Sequence, residues 1–272
     1  MDTAELFHHL HRQPQPLVLP NAWDAGSALL IERQGAAAVA TTSAGVAWSL
    51  GYPDGDALPL DEHLACVRRL ARVLRVPLSV DIESGYSDDP AQVGAHVARF
   101  LDAGAVGINI QDGSGTPVLL ARKIERARAA AESAGVKLYI NVRTDVFARK
   151  LVEPERMVEE VLARCAAYAQ AGADGIFPLA VTDPQSIRAI AAGTALLLNV
   201  IAWPGQAAAA DLAALGVRRI SAGSWLPQTL WRRTAELASD FLAGGASGPV
   251  TAEAAPYAAI NRMFTEIPAD AI

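Results

Sequence analysis

The chain has little cysteine and no long hydrophobic run, and each shortage excludes a class of protein. Two cysteines among 272 residues cannot form a disulfide framework. No apolar run reaches the roughly 18 residues that a membrane helix needs. The first residues, MDTAELFHHLHRQPQP, contain no basic region followed by an apolar one, so no secretory signal is visible. We therefore expect a cytoplasmic protein with no membrane partner.

Basic residues are also in the minority. The chain has 23 Lys and Arg against 29 Asp and Glu, a formal net charge of −6. Such a charge does not attract nucleic acid or an acidic membrane, so we expect neither as a partner. Hydrophobic residues make up 51% of the chain, which is enough for a large core.

Short apolar runs alternate with helical segments along the whole chain. Glycines separate a helix from the next run, as Gly104 does in AGAVGINIQD and Gly172 in AGADGIFPLA. Proline follows a candidate N-cap at Asp89-Pro90, Thr116-Pro117, Glu153-Pro154 and Asp183-Pro184. Eight predicted strands begin near residues 17, 37, 77, 106, 137, 175, 195 and 218.

This alternation predicts an α/β protein with a (β/α)8 TIM barrel. A doubly wound open sheet is the alternative, but the first βα turn has no G-x-G-x-x-G phosphate loop. We expect a barrel domain over residues 1–246 and a C-terminal helical extension over residues 247–272. The extension either caps the barrel or contacts a partner subunit.

Polar residues follow the predicted strands at the end where barrel active sites are built. They are Asn21, Asp24, Thr41, Thr42, Ser43, Asp81, Glu83, Gln111, Asp112, Asn141, Arg143, Asp145 and Asn199. If the strand assignment holds, these side chains face one another across one mouth of the barrel.

Asp81 and Glu83 stand at the end of the apolar strand PLSVDIE. Two carboxylates in a confined site repel each other, which raises the pKa of one of them unless a cation lies between them. Because the neighbouring donors are oxygens, the residue types favour Mg²⁺, with Mn²⁺ as a second possibility. Two solvated loop acids are the alternative.

Arg143 ends the strand KLYINVRTD and is suited to holding a carboxylate or phosphonate by a bidentate fork. An ion pair with Asp145 or with an acid of a neighbouring strand is the alternative. Trp23 either walls the pocket or packs in the core. Cys66 and Cys165 are predicted to be small buried hydrophobes, and HHLH a solvated helix face.

Four segments, TTSAGVAWSLGYPDG, SVDIESGYSDDP, GAVGINIQD and YINVRTDVF, together resemble the isocitrate lyase/phosphoenolpyruvate mutase superfamily. The resemblance implies a β/α barrel that binds Mg²⁺ and a 2-oxo or 2-hydroxy acid. It also implies a C–C or P–C bond made or broken next to an enolate. A C-terminal helix exchanged within a dimer, and dimers paired into tetramers, are further expectations, so a homo-oligomer is predicted.

By motif, the resemblance also assigns roles to individual residues. Asp81 would be the direct metal ligand, Glu83 would hold metal-bound waters, and Asp54 would organise those waters. Arg143 would clamp the substrate carboxylate, and Asn199 would line the pocket. Ser43, Ala44 and Gly45 would bind the oxo-acid end of the substrate.

Two departures from the superfamily pattern bear on the reaction. The lyases carry a K-K/R-C-G-H segment after the fourth strand, whereas this chain reads QDGSGTPVLLARKIERA, without Cys or His. The usual Glu-Asp pair is Gln111-Asp112 here, so the predicted metal set is Asp81, Glu83 and Gln111. Standard isocitrate or methylisocitrate cleavage is therefore not expected.

Three functions are compatible with these residues. The first is a Mg²⁺-dependent lyase that cleaves a C–C bond in a small keto or hydroxy dicarboxylate, with an oxaloacetate-like substrate favoured. The second is P–C chemistry on a phosphonopyruvate-like substrate, as mutase or hydrolase. The third is a barrel that binds a keto acid without turning it over.

Overall fold

The computed structural model describes residues 1–267 as two compact units, Met1–Gly223 and a second unit that begins at Ser224. The strands are β1 (Leu17–Leu19), β2 (Asn21–Ala22), β3 (Val39–Thr41), β4 (Leu78–Asp81), β5 (Gly107–Gln111), β6 (Tyr139–Thr144), β7 (Gly175–Pro178), β8 (Leu197–Ile201) and β9 (Val217–Ser221). All their pairings are parallel, and the order is β1-β9-β8-β7-β6-β5-β4-β3-β2. The predicted TIM-type barrel is confirmed, since this ring is nearly closed and helices alternate with its strands.

The helices of the first unit are α1 (Thr3–His11), α2 (Ala25–Arg33), α3 (Ser43–Ser49), α4 (Leu60–Val73), α5 (Pro90–Asp102), α6 (Pro117–Ser133), α7 (Val146–Arg149), α8 (Met157–Gln170), α9 (Pro184–Gly193) and α10 (Ala209–Ala214). A 3₁₀ helix, Pro154–Arg156, leads into α8. Among residues 1–267, none of the helices is both long and apolar enough to cross a lipid bilayer.

Proline interrupts the first strand of the barrel. Pro20 has no backbone N–H, and it stands between β1, which pairs with β9, and β2, which pairs with β3. The first of the eight predicted strands therefore becomes two, one for each neighbour. Each of the eight predicted starts lies within two residues of an observed one.

The predicted helix starts are confirmed at three of the four proline sites. Asp89, Thr116 and Asp183 each accept a backbone N–H of the first helical turn, and proline follows each cap. Glu153 differs, because its side chain makes no cap hydrogen bond and its proline begins the 3₁₀ helix. Gly104 ends α5 with a φ of 102°, a left-handed conformation that a side chain would strain.

Helix α1 packs its apolar face into the buried cluster at the amino-terminal end of the strands. Phe7 is fully buried and contacts Tyr139 edge to face at 5.5 Å. His11 stacks on the same tyrosine at 3.9 Å and binds the Phe7 carbonyl through Nδ1. Burial lowers the pKa of His11 to about 3, so it is neutral. The prediction of a solvated HHLH face is wrong for His8 and His11, which are both buried.

The second unit contains α11 (Trp225–Gly244), α12 (Ser247–Thr251) and α13 (Tyr257–Thr265). Arg233 on α11 pairs with Glu236 and with Glu253. Because α11 lies in this unit, the unit begins before residue 247. The boundary between residues 246 and 247 stays a prediction, and the part of the predicted extension beyond residue 267 lies outside the described residues.

Phe7→Ala should lower the free energy of unfolding by about 3–5 kcal/mol, because it removes a fully buried ring and leaves a cavity beside Tyr139. Urea unfolding followed by circular dichroism measures this loss. The matched control is Val18→Ala on β1, where the side chain is 56% exposed and a change within about 0.5 kcal/mol is expected. Equal effects of the two substitutions would show that α1 does not stabilise the barrel.

Candidate active site at the carboxyl ends of the strands

Asp81 is the last residue of β4 and lies at the carboxyl end of the barrel. Its carboxylate accepts hydrogen bonds from Ser43 Oγ at 3.1 Å and from the Glu83 N–H at 3.2 Å. Its own N–H donates to Thr41 Oγ1 at 2.9 Å. Burial raises the pKa of Asp81, and the positive charge of Arg143 opposes that rise most strongly. The site thus holds a desolvated carboxylate with a guanidinium near it.

Glu83 is a buried acid in a strained backbone. It is 2% exposed and has a φ of 52°, while Gly85 and Tyr86 follow with φ of 91° and 63°. Non-glycine residues in this region cost of order 1–3 kcal/mol each, and such strain concentrates at functional sites. Burial raises the pKa of Glu83 to about 7, a hydrogen bond from the Asp56 N–H lowers it, and the charges of Asp56, Asp81 and Asp54 raise it further.

The loop between α3 and α4 brings two more acids to this pair. Asp54 is exposed, and its negative charge raises the pKa of both Asp81 and Glu83. The Asp56 N–H donates to Glu83 Oε2, and Asp56 Oδ1 accepts the Ser84 N–H at 3.3 Å. Sequence reasoning missed Asp56, although it stands two residues after Asp54 in the same glycine-containing turn.

Gln111 ends β5 beside Glu83, whose carbonyl accepts its N–H at 2.8 Å. The next residue has a different environment. The Asp112 carboxylate accepts the Asp145 N–H at 3.0 Å, Arg164 Nη1 at 2.6 Å and the Tyr168 hydroxyl at 3.0 Å. The Asp112 carboxylate therefore binds the turn after β6 and helix α8. Of these two residues, Gln111 is the one whose backbone is bonded to Glu83.

Arg143 lies opposite Gln111 in the register of β5 and β6. Its Nε and Nη2 donate to the two carboxylate oxygens of Asp145, at 2.7 and 3.1 Å. The ion pair that was one alternative from the sequence is thus present. The side chain of Arg143 remains 26% exposed, and its charge reaches Asp81.

The other predicted ligand-binding residues lie in different surroundings. Ser43, Ala44 and Gly45 form the first turn of α3, and Ser43 is tied to Asp81. Trp23 follows β2 and is half-buried. Asn199 is fully buried, and its amide bonds to Asn141 at 2.9 Å and to the Val200 carbonyl at 2.7 Å, so its hydrogen-bonding groups are used inside the barrel.

A cavity of about 520 Å³ adjoins these residues. Its lining includes Asp56, Ser84, Gln111, Lys123 and Arg149, together with the loop of residues 113–116. Lys123 is 3% exposed, and its ammonium donates to the Ser84 carbonyl at 3.0 Å and contacts Asp88 at 3.4 Å. Sequence reasoning missed Lys123, because a lysine in the second turn of an amphipathic helix ordinarily faces water.

The donor set suits a metal that keeps most of its water. Within residues 1–267 no group of three or more His, Cys, Asp or Glu side chains is arranged to enclose a metal ion. Mg²⁺ is commonly bound through one or two carboxylates plus water. Asp81 and Glu83 would provide those carboxylates, and Gln111 would add a neutral amide oxygen. A divalent cation would relieve the repulsion between the two carboxylates of this pair.

Both cysteines are buried thiols, as predicted, and they lie on α4 and α8. Burial raises the pKa of Cys66 and of Cys165 to about 11. Neither is therefore an activated nucleophile.

Comparison with known proteins gives one consistent family. An uncharacterised protein of Mycobacterium tuberculosis (strain ATCC 25618 / H37Rv) is 35% identical over 96% of each chain. The 2-methylisocitrate lyase of Salmonella typhimurium is 34% identical over 72% of this chain and 70% of its own. The oxaloacetate decarboxylase of Bradyrhizobium sp. (strain BTAi1) is 30% identical over 63% of this chain and 60% of its own.

A solved structure agrees with these relatives. A proposed phosphonomutase from Burkholderia cenocepacia J2315 is 39% identical, covers 88% of this chain and 100% of its own, and superposes with a TM-score of 0.84. The phosphoenolpyruvate phosphomutase family model matches residues 7–242. The chain therefore belongs to the phosphoenolpyruvate phosphomutase family, within the isocitrate lyase/phosphoenolpyruvate mutase superfamily.

Proposed function

We propose that the protein is a Mg²⁺-dependent lyase that cleaves a C–C bond in a small keto or hydroxy dicarboxylate, with an oxaloacetate-like compound as substrate. The observation that carries the proposal is the acid pair, half-buried Asp81 and buried Glu83, with the positive charge of Arg143 acting on Asp81. Relatives that include lyases and an oxaloacetate decarboxylase support an enzyme of this class.

In this proposal Asp81 would be the direct protein ligand of Mg²⁺. Glu83 and Asp54 would hold water around the ion, and Gln111 would contribute its amide oxygen. Gln111 carries no charge, so it adds no further carboxylate where Glu83 already ionises with difficulty. When bound, the ion supplies positive charge where the enolate oxygen develops.

The chain's own residues hold and orient the substrate. Arg143, fixed by Asp145, binds one substrate carboxylate, and the backbone N–H groups of residues 43–45 bind the oxo-acid end. In oxaloacetate the C3–C4 bond breaks, CO₂ leaves, and the electron pair enters the C2–C3 enolate. Carbon 3 takes its proton afterwards, from water. This order needs no acid on the loop after β5, which agrees with the absence of Cys and His there.

A second candidate is P–C bond chemistry on a phosphonopyruvate-like substrate. The likeness to the proposed phosphonomutase favours it, and an arginine fork suits a phosphonate as well as a carboxylate. Inhibition by a phosphonate at far lower concentration than by a dicarboxylate would favour this reading. Tight keto-acid binding without turnover would favour the third function, a binding barrel.

We also propose a cytoplasmic homo-oligomer whose subunits meet through the second unit. Large apolar side chains are exposed on α11 and α13, which separate chains could cover. They include Leu230, Leu242, Tyr257, Ile260 and Phe264. A mass corresponding to a monomer at micromolar concentration would rule this out.

Asp81→Ala should reduce Mg²⁺-dependent pyruvate formation from oxaloacetate by roughly 100-fold or more, since it removes the ligand through which several kcal/mol of charge stabilisation act. A coupled assay with lactate dehydrogenase measures the pyruvate formed, and the rate of decarboxylation by the metal alone is subtracted. Asp183→Ala is the matched control, because it removes an exposed helix cap on α9 and should leave the rate unchanged. A parent rate equal to the metal-only blank would eliminate oxaloacetate as the substrate.

Arg143→Lys should raise the KM for the dicarboxylate about tenfold or more, because an ammonium cannot reproduce the planar fork of the guanidinium. Steady-state kinetics over a range of substrate concentrations gives KM and kcat separately. Arg156→Lys, at a side chain that is 67% exposed, is the control and should leave KM as it is. An unchanged KM in Arg143→Lys would mean that the substrate carboxylate binds elsewhere.

Glu83→Gln should stabilise the metal-free protein at alkaline pH and leave it unchanged in acid. The folded protein holds the proton of Glu83 up to a pKa of about 7, against an ordinary value of 4.5, so stability falls as pH rises between these values. Above about pH 8 the amide of Glu83→Gln avoids the free-energy cost of ionising a buried carboxyl group. The free energy of unfolding of the variant should then exceed that of the parent by on the order of 2 kcal/mol.

Urea unfolding in chelating buffer at several pH values measures the difference. The control is Glu159→Gln, since that side chain is 74% exposed. Added Mg²⁺ should reduce the difference in free energy of unfolding between the two proteins, because it should stabilise the parent more than Glu83→Gln. A stability difference that does not vary with pH would contradict the prediction.

A further inference from the structure

A chain of buried hydrogen bonds runs from α8 to Arg143. The two carboxylate oxygens of Asp145 accept hydrogen bonds from Nε and Nη2 of Arg143. The Asp145 N–H donates to Asp112 Oδ1 at 3.0 Å. Asp145 is 3% exposed. The position of the Arg143 guanidinium is therefore set by the turn after β6, and that turn is fastened to the residue after β5.

The other oxygen of Asp112 is held from α8. Arg164 Nη1 donates to Asp112 Oδ2 at 2.6 Å, and the Tyr168 hydroxyl donates to the same oxygen at 3.0 Å. Arg164 and Tyr168 are four residues apart, so they lie on one face of the helix. Arg164 also donates through Nε to Glu160 at 2.8 Å, which fixes its own rotamer.

We infer that Arg164 is a positioning residue for ligand binding: through Asp112 it fixes the turn that carries Asp145, and thereby aims the Arg143 guanidinium. The inference rests on the proposed role of Arg143 in holding the substrate carboxylate. Tyr168 assists Arg164 in the same way, through one hydrogen bond.

Burial explains why Asp112 depends on this arginine. The Asp112 side chain is fully buried and that of Arg164 is 8% exposed, so the pair is almost out of water. Without Arg164 the buried Asp112 carboxylate loses its counter-ion, and it must move toward water. That movement disturbs its hydrogen bond to the Asp145 N–H.

A matched residue separates positioning from simple stabilisation. Arg128 on α6 makes an equally dense set of contacts with β6 and its surroundings. It donates to the Leu138 carbonyl at 2.7 Å, the Gly172 carbonyl at 2.6 Å and Asp174 at 2.7 Å. These contacts lie at the amino-terminal end of the strand, away from Arg143.

The experiment compares Arg164→Met, Tyr168→Phe and Arg128→Met with the parent. Calorimetry gives the Kd of each for oxalate in the presence of Mg²⁺, thermal unfolding gives Tm, and crystal structures give the position of Arg143. Arg164→Met should raise the Kd about tenfold or more. Arg128→Met should lower Tm without changing the Kd, and Tyr168→Phe should raise the Kd less than Arg164→Met.

The outcomes separate the inference from the proposed function. Parent-like Kd and an unmoved Arg143 in Arg164→Met would overturn the inference. If the parent binds neither oxalate nor oxaloacetate, the proposed function fails, and the crystal structures still decide the inference by whether Arg143 has moved. If Arg164→Met does not fold, Tyr168→Phe decides the inference by the same two measurements, because it removes only one hydroxyl.

Discussion

The desolvation of two carboxylates one residue apart is the constraint on which the rest of the site depends. Asp81 and Glu83 lose water, and each must recover hydrogen bonds from the protein. The donors come from separate segments, Ser43 at the start of α3 and Asp56 in the loop that follows it. The acids therefore fix the loops around them, and the strained backbone at Glu83 persists because these contacts over-determine it.

Two arginine–carboxylate pairs support the site, one at the mouth of the barrel and one buried behind it. The pair of Arg143 and Asp145 is partly exposed at the mouth, whereas the pair of Arg164 and Asp112 is buried behind it. Gln111 and Asp112 are adjacent and both line the cavity, and the Asp112 carboxylate also accepts hydrogen bonds from Arg164 and Tyr168 on α8. A neutral residue at position 111 is understandable here, because a further carboxylate beside Glu83 would add to the repulsion from Asp54, Asp56 and Asp81.

Patterns that depend on local physics were predictable from the sequence. Alternating apolar runs gave the strands, and the Asp-Pro and Thr-Pro pairs gave three helix starts, because capping needs only neighbouring residues. The acid pair and Arg143 were found because charged residues at the end of an apolar strand are unusual. The site residues and their roles remain predictions, although the structure gathers Asp54, Asp81, Glu83 and Gln111 in one region.

Features that depend on distant partners were not predictable. His11 was expected in water, but α1 packs it onto Tyr139, a residue 128 positions later. Arg164 and Lys123 looked like ordinary helix-surface cations, and only the fold brings them to Asp112 and Ser84. Asp56 needed the geometry of a turn with φ of 59°, which the sequence indicates only through the glycine before it.

Pro20 leaves a break in the ring of strands, a seam between β1 and β2. Strands β1 and β2 each pair with one neighbour, whereas the other seven described strands each pair with two. Amides at this seam are the ones whose local opening should need the least free energy, so their hydrogen exchange should be the fastest of the barrel strands. Asn21 and Ala22 lie directly before Trp23 at the mouth of the barrel. The strand that should open most easily therefore lies beside the site.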